Sequence, residues 1–291
     1  MDILQQTKQL CAKYNIVPVR SRGQNFLIRE DVYEKVVAAA DLKPDDIVLE
    51  VGAGLGFLTE MMARKTEKVI TVELDDALAK NLVLRLKELN IKNIEVVNVN
   101  ILSLKTYDLR LKSGNYKIVA NLPYNITSRF LRKFLAEIDN KPNAMVLMLQ
   151  REVAERICAR PGQMSLLAVS AQFYATPKII ARVPADAFWP KPKVESAIIT
   201  LTPVSPLPVG EGKERSDRVR AEENFFKLVR AGFSAKRKQL QGNLAKGLKI
   251  SAENIKQILT ECGLKETARA QELSLADWHK LYIVLEGRNM L

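Results

Sequence analysis

An apolar segment that runs directly into closely spaced glycines constrains the fold of this chain more than any other feature. Residues 47–51 are Ile-Val-Leu-Glu-Val, and Gly52-Ala-Gly-Leu-Gly56 follows at once. Apolar residues then recur at helical spacing over residues 57–62. A buried strand, a glycine turn and a helix in this order are typical of a nucleotide-binding α/β sheet, because glycines allow a tight turn and a close approach to a ligand.

Further apolar segments alternate with helical patterns along the chain, and this alternation predicts a parallel sheet with right-handed crossovers. The expected fold is therefore α/β and Rossmann-like. Strands are predicted at 68–72, 94–97, 116–120 and 144–149, with β-rich segments at 170–175 and 194–201 completing the sheet. Helices are predicted near the amino terminus and at 31–40, 77–89 and 127–138.

The motif Asn121-Leu122-Pro123-Tyr124 follows the predicted strand at 116–120. Proline ends the strand and stiffens the turn, so the Asn121 side-chain oxygen and the Leu122 carbonyl are acceptors held on a rigid backbone. Tyr124 adds a flat aromatic face beside them. Two acceptors and a stacking surface suit the exocyclic amine of a purine base. Taken alone, the motif also fits an ordinary turn next to the core.

Glu73 ends the second strand about 20 residues after Gly52, the spacing at which a carboxylate binds ribose hydroxyls; a solvated acid at a strand end is the alternative. The turn is Gly-x-Gly-x-Gly, whereas dinucleotide-binding turns have Gly-x-Gly-x-x-Gly. A nicotinamide enzyme also needs an acid or base for hydride transfer near the site, and apart from Tyr124 the sequence offers none. S-adenosylmethionine, which has a ribose and an adenine but no phosphate, therefore fits better than a nicotinamide cofactor. In such sheets the first and fourth strands are neighbours, so Gly52 and Asn121 should face one crevice.

Composition limits the function classes. The 291 residues are 47% hydrophobic, enough for one large domain and a smaller one, and the net charge of +12 favours a polyanionic partner over a merely solvated basic surface. Three dispersed cysteines, with no CxxC pair, argue against disulfides and zinc, so no metal is expected. A single histidine, His279, argues against Ser-His-Asp and Cys-His catalysis. Neither a membrane span nor a signal-peptide core is evident, which predicts a cytoplasmic protein.

A Pro- and Gly-rich segment at 203–212 is typical of a linker and divides the chain into a catalytic domain, 1–202, and a helical domain, 203–291. Helices are predicted at 222–248 and 252–260, and a last one begins at Ser274, with Asp277 as its capping partner.

The predicted helical domain begins with a strongly basic segment. Between residues 213 and 249 there are eleven Lys or Arg and four acids. A buried face is predicted from Phe225, Phe226, Val229 and Phe233. Five basic residues are then left to contact the phosphates of a polyanionic partner, unless they simply form a solvated face: Lys227, Arg230, Lys236, Arg237 and Lys238.

Five motifs in order give the chain a resemblance to a known family, from about residue 5 to the carboxyl terminus. They are Gly23-Gln-Asn-Phe-Leu27, Val48-Leu-Glu-Val-Gly-Ala-Gly-Leu-Gly-Phe-Leu-Thr59, Val119-Ala-Asn-Leu-Pro-Tyr124, Gln150-Arg-Glu-Val-Ala154 and Phe188-Trp-Pro-Lys-Pro-Lys-Val194. Together they resemble the ribosomal RNA adenine N6-dimethyltransferases, most closely the bacterial small-subunit branch.

The resemblance implies a role for individual residues. Asn25 and Leu27 would close over the amino-acid end of S-adenosylmethionine, with the Gly52 and Gly54 turn below it and Glu73 on the ribose. Asn121 would mark the meeting point of donor and target amine. Where the family usually has an acid that accepts from the donor's adenine amine, this chain has Asn100, which suggests weaker donor binding.

By resemblance to related methylases, Phe188 would stack on one face of a target base that is flipped out of the RNA, with Tyr124 on the other face. The alternative is that Phe188 only anchors its loop in the core. With Asn121, Leu122, Pro123 and Tyr124 it completes the predicted catalytic set.

The family implies N6,N6-dimethylation of two adjacent adenines near the 3′ end of small-subunit ribosomal RNA, within an assembling subunit, and we expect a monomer. Two alternatives remain open. One is a resistance-type methylase of large-subunit RNA, and the other is a non-catalytic assembly or transcription factor on the same fold. Leu122, where the resistance branch usually has Ile, disfavours the first, and the intact glycine turn disfavours the second.

Overall fold

A computed structural model describes residues 1–19, 24–105, 109, 111–123, 125–204, 215–235 and 238–291. The chain forms two compact units. One comprises Met1–Ala154 and Ala175–Pro203, and the other comprises Glu155–Tyr174 and Val204–Leu291. The second unit thus includes residues 155–174, which the predicted domain boundary had assigned to the first domain. Most of the predicted linker lies outside the described residues.

Strands of the first unit are short and rich in Val, Ile and Leu, as buried parallel strands require. They are β1 Phe26–Leu27, β2 Ile47–Val51, β3 Lys68–Glu73, β4 Ile94–Asn98, β5 Tyr116–Asn121, β6 Ala144–Gln150, β7 Ala175–Val183, β8 Phe188–Trp189 and β9 Ser196–Pro203. Seven of them form one sheet in the order β4-β3-β2-β5-β6-β9-β7, and β1 pairs with β8.

The sheet brings the predicted ligand-binding ends together. Strand β2 pairs in parallel with β3 on one side and with β5 on the other, with Val51 opposite both Val72 and Ala120. This confirms that the first and fourth predicted strands are neighbours. Strands β6 and β9 are antiparallel, as are β9 and β7, so the sheet is parallel only from β4 to β6.

Helices of the first unit are α1 Ile3–Lys13, α2 Glu30–Ala39, α3 Phe57–Ala63, α4 Asp76–Glu88 and α5 Thr127–Leu131, the last continuing as a π-helix over Arg132–Glu137. Helix α6, Arg151–Ile157, follows β6. Strand positions Val48, Val69 and Val119 pack with α2 and α3 in one buried cluster. Among the described residues, no helix is both long and apolar enough to cross a bilayer.

The second unit is helical, with α7 Leu166–Tyr174, α8 Arg215–Gly232, α9 Leu240–Leu248, α10 Ala252–Glu261 and α11 Leu275–Gly287. Ser274 and Asp277 form the predicted capping box of α11. Phe225 and Val229 are buried in the cluster at the centre of this unit, and Phe226 and Phe233 pack against it, as predicted.

Two predictions for this unit were wrong. Residues 170–174 form the end of α7 and not a strand, because Phe173 packs on Phe225 with ring centroids 4.5 Å apart in a helical core. Only Ala175 of the predicted segment lies in a strand, at the start of β7. The expected helix 222–248 is two helices. Its break is held by Asn243, whose side-chain amide donates to the carbonyls of Gly232 (2.7 Å) and Ala235 (3.0 Å).

Candidate active site

A cavity of about 500 Å³ opens in the first unit, beside the carboxyl ends of β2, β3 and β5. Its size is that of a small-molecule or cofactor site. Residues singled out from the sequence contribute much of its lining: Asn25, Leu27, Gly52, Gly54, Glu73, Asn121 and Pro123. The structure therefore brings together residues that lie almost 100 positions apart in the sequence.

The glycine turn shapes the floor of this cavity. Gly52 has φ +81°, and a Cβ there would lie 3.4 Å from the Asn121 backbone oxygen. Gly56 has φ +85°, and a Cβ there would lie 2.4 Å from Leu82 on α4. Only glycine adopts these backbone conformations without strain. Gly52 thus keeps the space between two strand ends open, whereas Gly56 lets α3 pack against α4.

Glu73 is held by the backbone around it. Its Oε2 accepts from the Gly54 N–H at 2.9 Å and its Oε1 from the Asp75 N–H at 3.0 Å. Burial raises the pKa of this carboxyl, and the two backbone N–H groups oppose that rise. Each carboxylate oxygen can accept more than one hydrogen bond, so both can still bind ligand hydroxyls.

The charge of the cavity lining is entirely negative among the residues that the structure describes. Glu50, Glu73, Asp75 and Asp76 line it, and no Lys or Arg does. A phosphate-bearing cofactor would meet repulsion here, because anion sites need basic side chains or free backbone N–H groups. A ligand with net positive charge and ribose hydroxyls fits the lining, as S-adenosylmethionine does.

Glu50 was not identified as a functional residue from the sequence. It is 1% exposed and lines the cavity, and its Oε2 accepts from the Thr59 hydroxyl at 2.6 Å. Burial raises its pKa to about 7, against the opposing effect of the Thr59 and Thr71 hydroxyls. The available signal was the single acid in the apolar segment Ile47–Val51.

The Asn121 turn ends β5 beside this cavity. Asn121 is opposite Met148 on β6, and the Leu122 N–H donates to the Met148 carbonyl at 3.2 Å. Leu122 is 1% exposed, so its side chain anchors the turn in the core while Asn121 and Pro123 line the cavity. Tyr124 lies outside the described residues.

A two-stranded ribbon carries Asn25 and Leu27 to the cavity wall. Leu27 is opposite Phe188 in this ribbon, and the Tyr33 hydroxyl donates to the Leu27 carbonyl at 2.9 Å. Gln24, which also lines the cavity, donates to Asp75 Oδ2 at 3.1 Å. Sequence reasoning missed Gln24 and Tyr33 as wall residues, although Gln24 belongs to a quoted motif.

Besides Leu122, two predicted site residues of the first unit lie away from the cavity lining. Phe188 is 3% exposed and packs in the core cluster, which matches the alternative of a core anchor; its stacking role stays a prediction. Asn100 is exposed after β4, and its Oδ1 accepts from the Leu102 N–H at 2.9 Å. A carbonyl oxygen has a second lone pair, so this bond leaves Asn100 able to accept from an adenine amine.

In the second unit, Lys227, Arg230 and Lys238 are exposed, and the predicted Lys236 and Arg237 lie outside the described residues. His279 packs between Phe173 and Phe225, with ring centroids 5.7 and 5.1 Å away, and burial lowers its pKa. Among the described residues, no group of His, Cys, Asp and Glu is placed to hold a metal ion.

Comparison with known proteins gives consistent matches over nearly the whole chain. The sequence profile of the family described as "Ribosomal RNA adenine dimethylase" matches residues 19–286. "Ribosomal RNA small subunit methyltransferase A" of Dehalococcoides mccartyi (strain CBDB1) is 41% identical over 286 residues, covering 98% of this chain and 94% of that protein. The protein of the same name from Clostridioides difficile (strain 630) is 36% identical over 289 residues, covering 97% and 96%.

Solved structures agree with the Rossmann-like fold. The 23S rRNA methyltransferase ErmE matches with a TM-score of 0.71 and 27% identity, covering 90% of this chain and 100% of its own. A dimethyladenosine transferase from Plasmodium falciparum matches with a TM-score of 0.72 and 25% identity, covering 90% and 97%.

Proposed function

Because this chain belongs to the ribosomal RNA adenine dimethylase family, whose enzymes use S-adenosylmethionine, we propose that it dimethylates adenine N6 in small-subunit ribosomal RNA. The proposed targets are two adjacent adenines near the 3′ end of that RNA, within an assembling small subunit. The protein would act as a monomer, without a metal, in the cytoplasm where such subunits assemble. The observation that carries the proposal is the acidic cavity with its floor at Gly52 and its edge at Asn121.

The proposed roles of the cavity residues follow from their geometry. S-adenosylmethionine, when bound, supplies an electrophilic methyl group, so the protein mainly has to align the reactants. Glu73 would accept from the ribose hydroxyls, and the Gly52 turn would make room beneath the donor. Asn25 and Leu27 would cover its amino-acid end. Asn100 would accept from its adenine amine.

The target amine would be oriented at the Asn121 turn. The lone pair of an adenine amine is delocalised into the ring, which makes it a poor nucleophile. The Asn121 side-chain oxygen and the Leu122 carbonyl would accept its two N–H groups and favour a tetrahedral nitrogen, whose lone pair then points at the methyl group. Tyr124, and Phe188 if a face of it becomes accessible, would stack on the flipped base.

Methylation of large-subunit RNA is the second candidate, and the match to the 23S rRNA methyltransferase ErmE favours it. The relatives at 36–41% identity are named for the small subunit, however, and they match 97–98% of the chain. We therefore rank small-subunit RNA first. The intact Gly52 turn and Asn121 motif also argue against a factor that has lost its chemistry.

The second unit is the proposed RNA-binding part. Lys227 and Arg230 extend from the exposed side of α8, whose other side is buried through Phe225 and Val229. Lys238 is exposed in the break between α8 and α9, and Lys236 and Arg237 precede it in the sequence. Their charges would contact phosphates without reading sequence.

Incubation with labelled S-adenosylmethionine tests the function. Unmethylated small and large subunits are offered in parallel, and dimethyladenine is then mapped in each RNA. We expect label in the small subunit, at neighbouring adenines. Label in the large subunit alone would establish the second candidate, and no label in either, with donor binding intact, would support a non-catalytic factor.

A further inference from the structure

Glu50 lines the cavity, and the proposed function has so far given it no role. Its neighbours in register on the adjoining strands are Thr71 and Val119, and every other residue of β2 is apolar. A buried carboxylate is costly unless a positive charge or hydrogen bonds compensate for it. Thr59 supplies one hydrogen bond, at 2.6 Å, and the Thr71 hydroxyl also favours the carboxylate. Among the described residues of the lining, no cation supplies the charge.

The other groups near Glu50 do not supply the missing positive charge. From α2, Tyr33 is buried and its hydroxyl is engaged with the Leu27 carbonyl. From β3, Glu73 adds a second negative charge. Behind α3, Arg85 is paired with Glu60 at 2.5 Å. A carboxyl that faces hydroxyl groups, but no cation among the described lining residues, therefore fits a cavity whose ligand brings the positive charge.

We propose that Glu50 is a specificity-determining residue whose carboxylate distinguishes the charged methyl donor from the uncharged product of the reaction. This inference rests on the proposed function, because it requires the donor to bind in this cavity. The donor carries a sulfonium and an ammonium against one carboxylate, for a net charge of +1. Loss of the methyl group leaves a neutral thioether and a net charge of zero.

The position of Glu50 explains how its carboxylate would distinguish the donor from the product. It lies two residues before Gly52, on the strand that adjoins β5 and its terminal Asn121. The transferred methyl group must come close to Asn121, so the sulfonium lies near this strand end. Because Glu50 is only 1% exposed, its carboxylate attracts that charge more strongly than it would in solvent. After transfer the attraction is lost, which favours release of the product.

Donor binding should therefore be linked to a proton. Because burial raises the pKa of Glu50 to about 7, the carboxyl of the free protein is largely protonated below neutral pH. The cationic donor binds the ionised form more tightly and should release up to one proton. Its affinity should fall as the pH is lowered from 8 to 6, whereas the affinity of the product should change little.

Calorimetry of the full chain tests this linkage. S-adenosylmethionine and S-adenosylhomocysteine are titrated between pH 6 and 8, in buffers that differ in ionisation enthalpy, so that proton release is counted directly. For the unaltered protein we expect proton release with the donor only, and a donor-to-product affinity ratio that falls several-fold towards pH 6. Glu50→Gln should bind the product within about threefold of wild type, bind the donor at least about tenfold more weakly, and release no proton.

Two further variants test whether the proton release comes from Glu50. Thr59→Val removes the hydrogen bond that favours the carboxylate, so the pH at half-maximal proton release should move upwards. Glu67→Gln removes the same charge from an exposed acid outside the lining and should leave the pH profile of wild type unchanged.

Several results would overturn the inference. Proton release that persists in Glu50→Gln would assign the effect to Glu73. Equal losses of donor and product affinity in that variant would reduce Glu50 to a wall residue. Donor binding that is independent of pH would remove the linkage and leave the proposed function standing. A protein that binds neither ligand in any condition would instead overturn both.

Discussion

Asn121 is the residue at which the proposed donor site and the proposed target site meet. Its side chain lines the cavity, and its backbone oxygen lies beside Gly52. We expect Asn121→Ala to reduce single-turnover methyl transfer by about 10²- to 10³-fold, the usual effect of removing one hydrogen-bonding group from a reacting centre. The free energy of unfolding should change little, because Asn121 is only half-buried.

Asn121→Asp is the matched control for this prediction. It keeps an acceptor in place and should retain more activity than Asn121→Ala. Transfer by Asn121→Ala at a rate near that of the unaltered protein would remove Asn121 from the mechanism.

Asn100 allows a second test at the residue scale. Its Oδ1 already accepts from Leu102, and a carboxylate there would keep that bond and strengthen an additional one to an adenine amine. We expect Asn100→Asp to bind S-adenosylmethionine about threefold to tenfold more tightly, equivalent to roughly 1 kcal/mol. A donor analogue without the adenine amine should bind both proteins alike. Looser donor binding in the variant would show that Asn100 has no such contact.

Several site residues could be predicted from the sequence because local chemistry marks them. The glycines at 52 and 54, the acid at 73 and the amide at 121 each end or follow a strand. Glu50 could not be assigned in this way, since its role depends on the groups that surround it in three dimensions. Its side chain lines a cavity otherwise built from distant segments.

At the scale of elements, the strands and helices that follow one another in simple alternation were predictable. Residues 170–174 were not, because a short apolar segment fits a strand and a buried helix end equally well. The break between α8 and α9 was also missed. Asn243 satisfies the Gly232 and Ala235 carbonyls from the following helix, which is a tertiary contact with no local signal.

The packing of α3 against α4 depends on Gly56. A Cβ there would lie 2.4 Å from Leu82, which is 2% exposed, and the backbone has φ +85°. We expect Gly56→Ala to lower the free energy of unfolding by about 2–4 kcal/mol, from backbone strain and overpacking together. Urea unfolding measures the loss.

A double variant separates the two causes of that loss. Leu82→Ala relieves the overlap, so the cost of Gly56→Ala should be smaller in its presence, leaving mainly the backbone strain. Strictly additive effects would mean that the contact with Leu82 does not limit this position.

For the molecule as a whole, the net charge of +12 contrasts with the acidic lining of the cavity. The cavity of the first unit is lined by acids, which suits a cationic donor. The second unit carries the exposed Lys227, Arg230 and Lys238. Under the proposed function, the acids of the cavity would repel the polyanionic RNA backbone, and the exposed bases of the second unit would attract it.

RNA binding should therefore depend steeply on salt through the second unit. Each phosphate neutralised by a side chain releases counterions, and its loss makes the plot of log affinity against log salt concentration shallower by about 0.7–0.9. We expect replacement of Lys227, Arg230 and Lys238 by Gln to reduce the slope by about 2–3, with donor affinity unchanged. Filter binding of small-subunit RNA between low and moderate salt measures this slope.

A control variant replaces three exposed lysines of the first unit, Lys65, Lys80 and Lys92, by Gln. It removes the same charge and should leave the slope nearly unchanged. If both triple variants flatten the slope equally, the RNA responds to net charge alone and the second unit has no special role in binding.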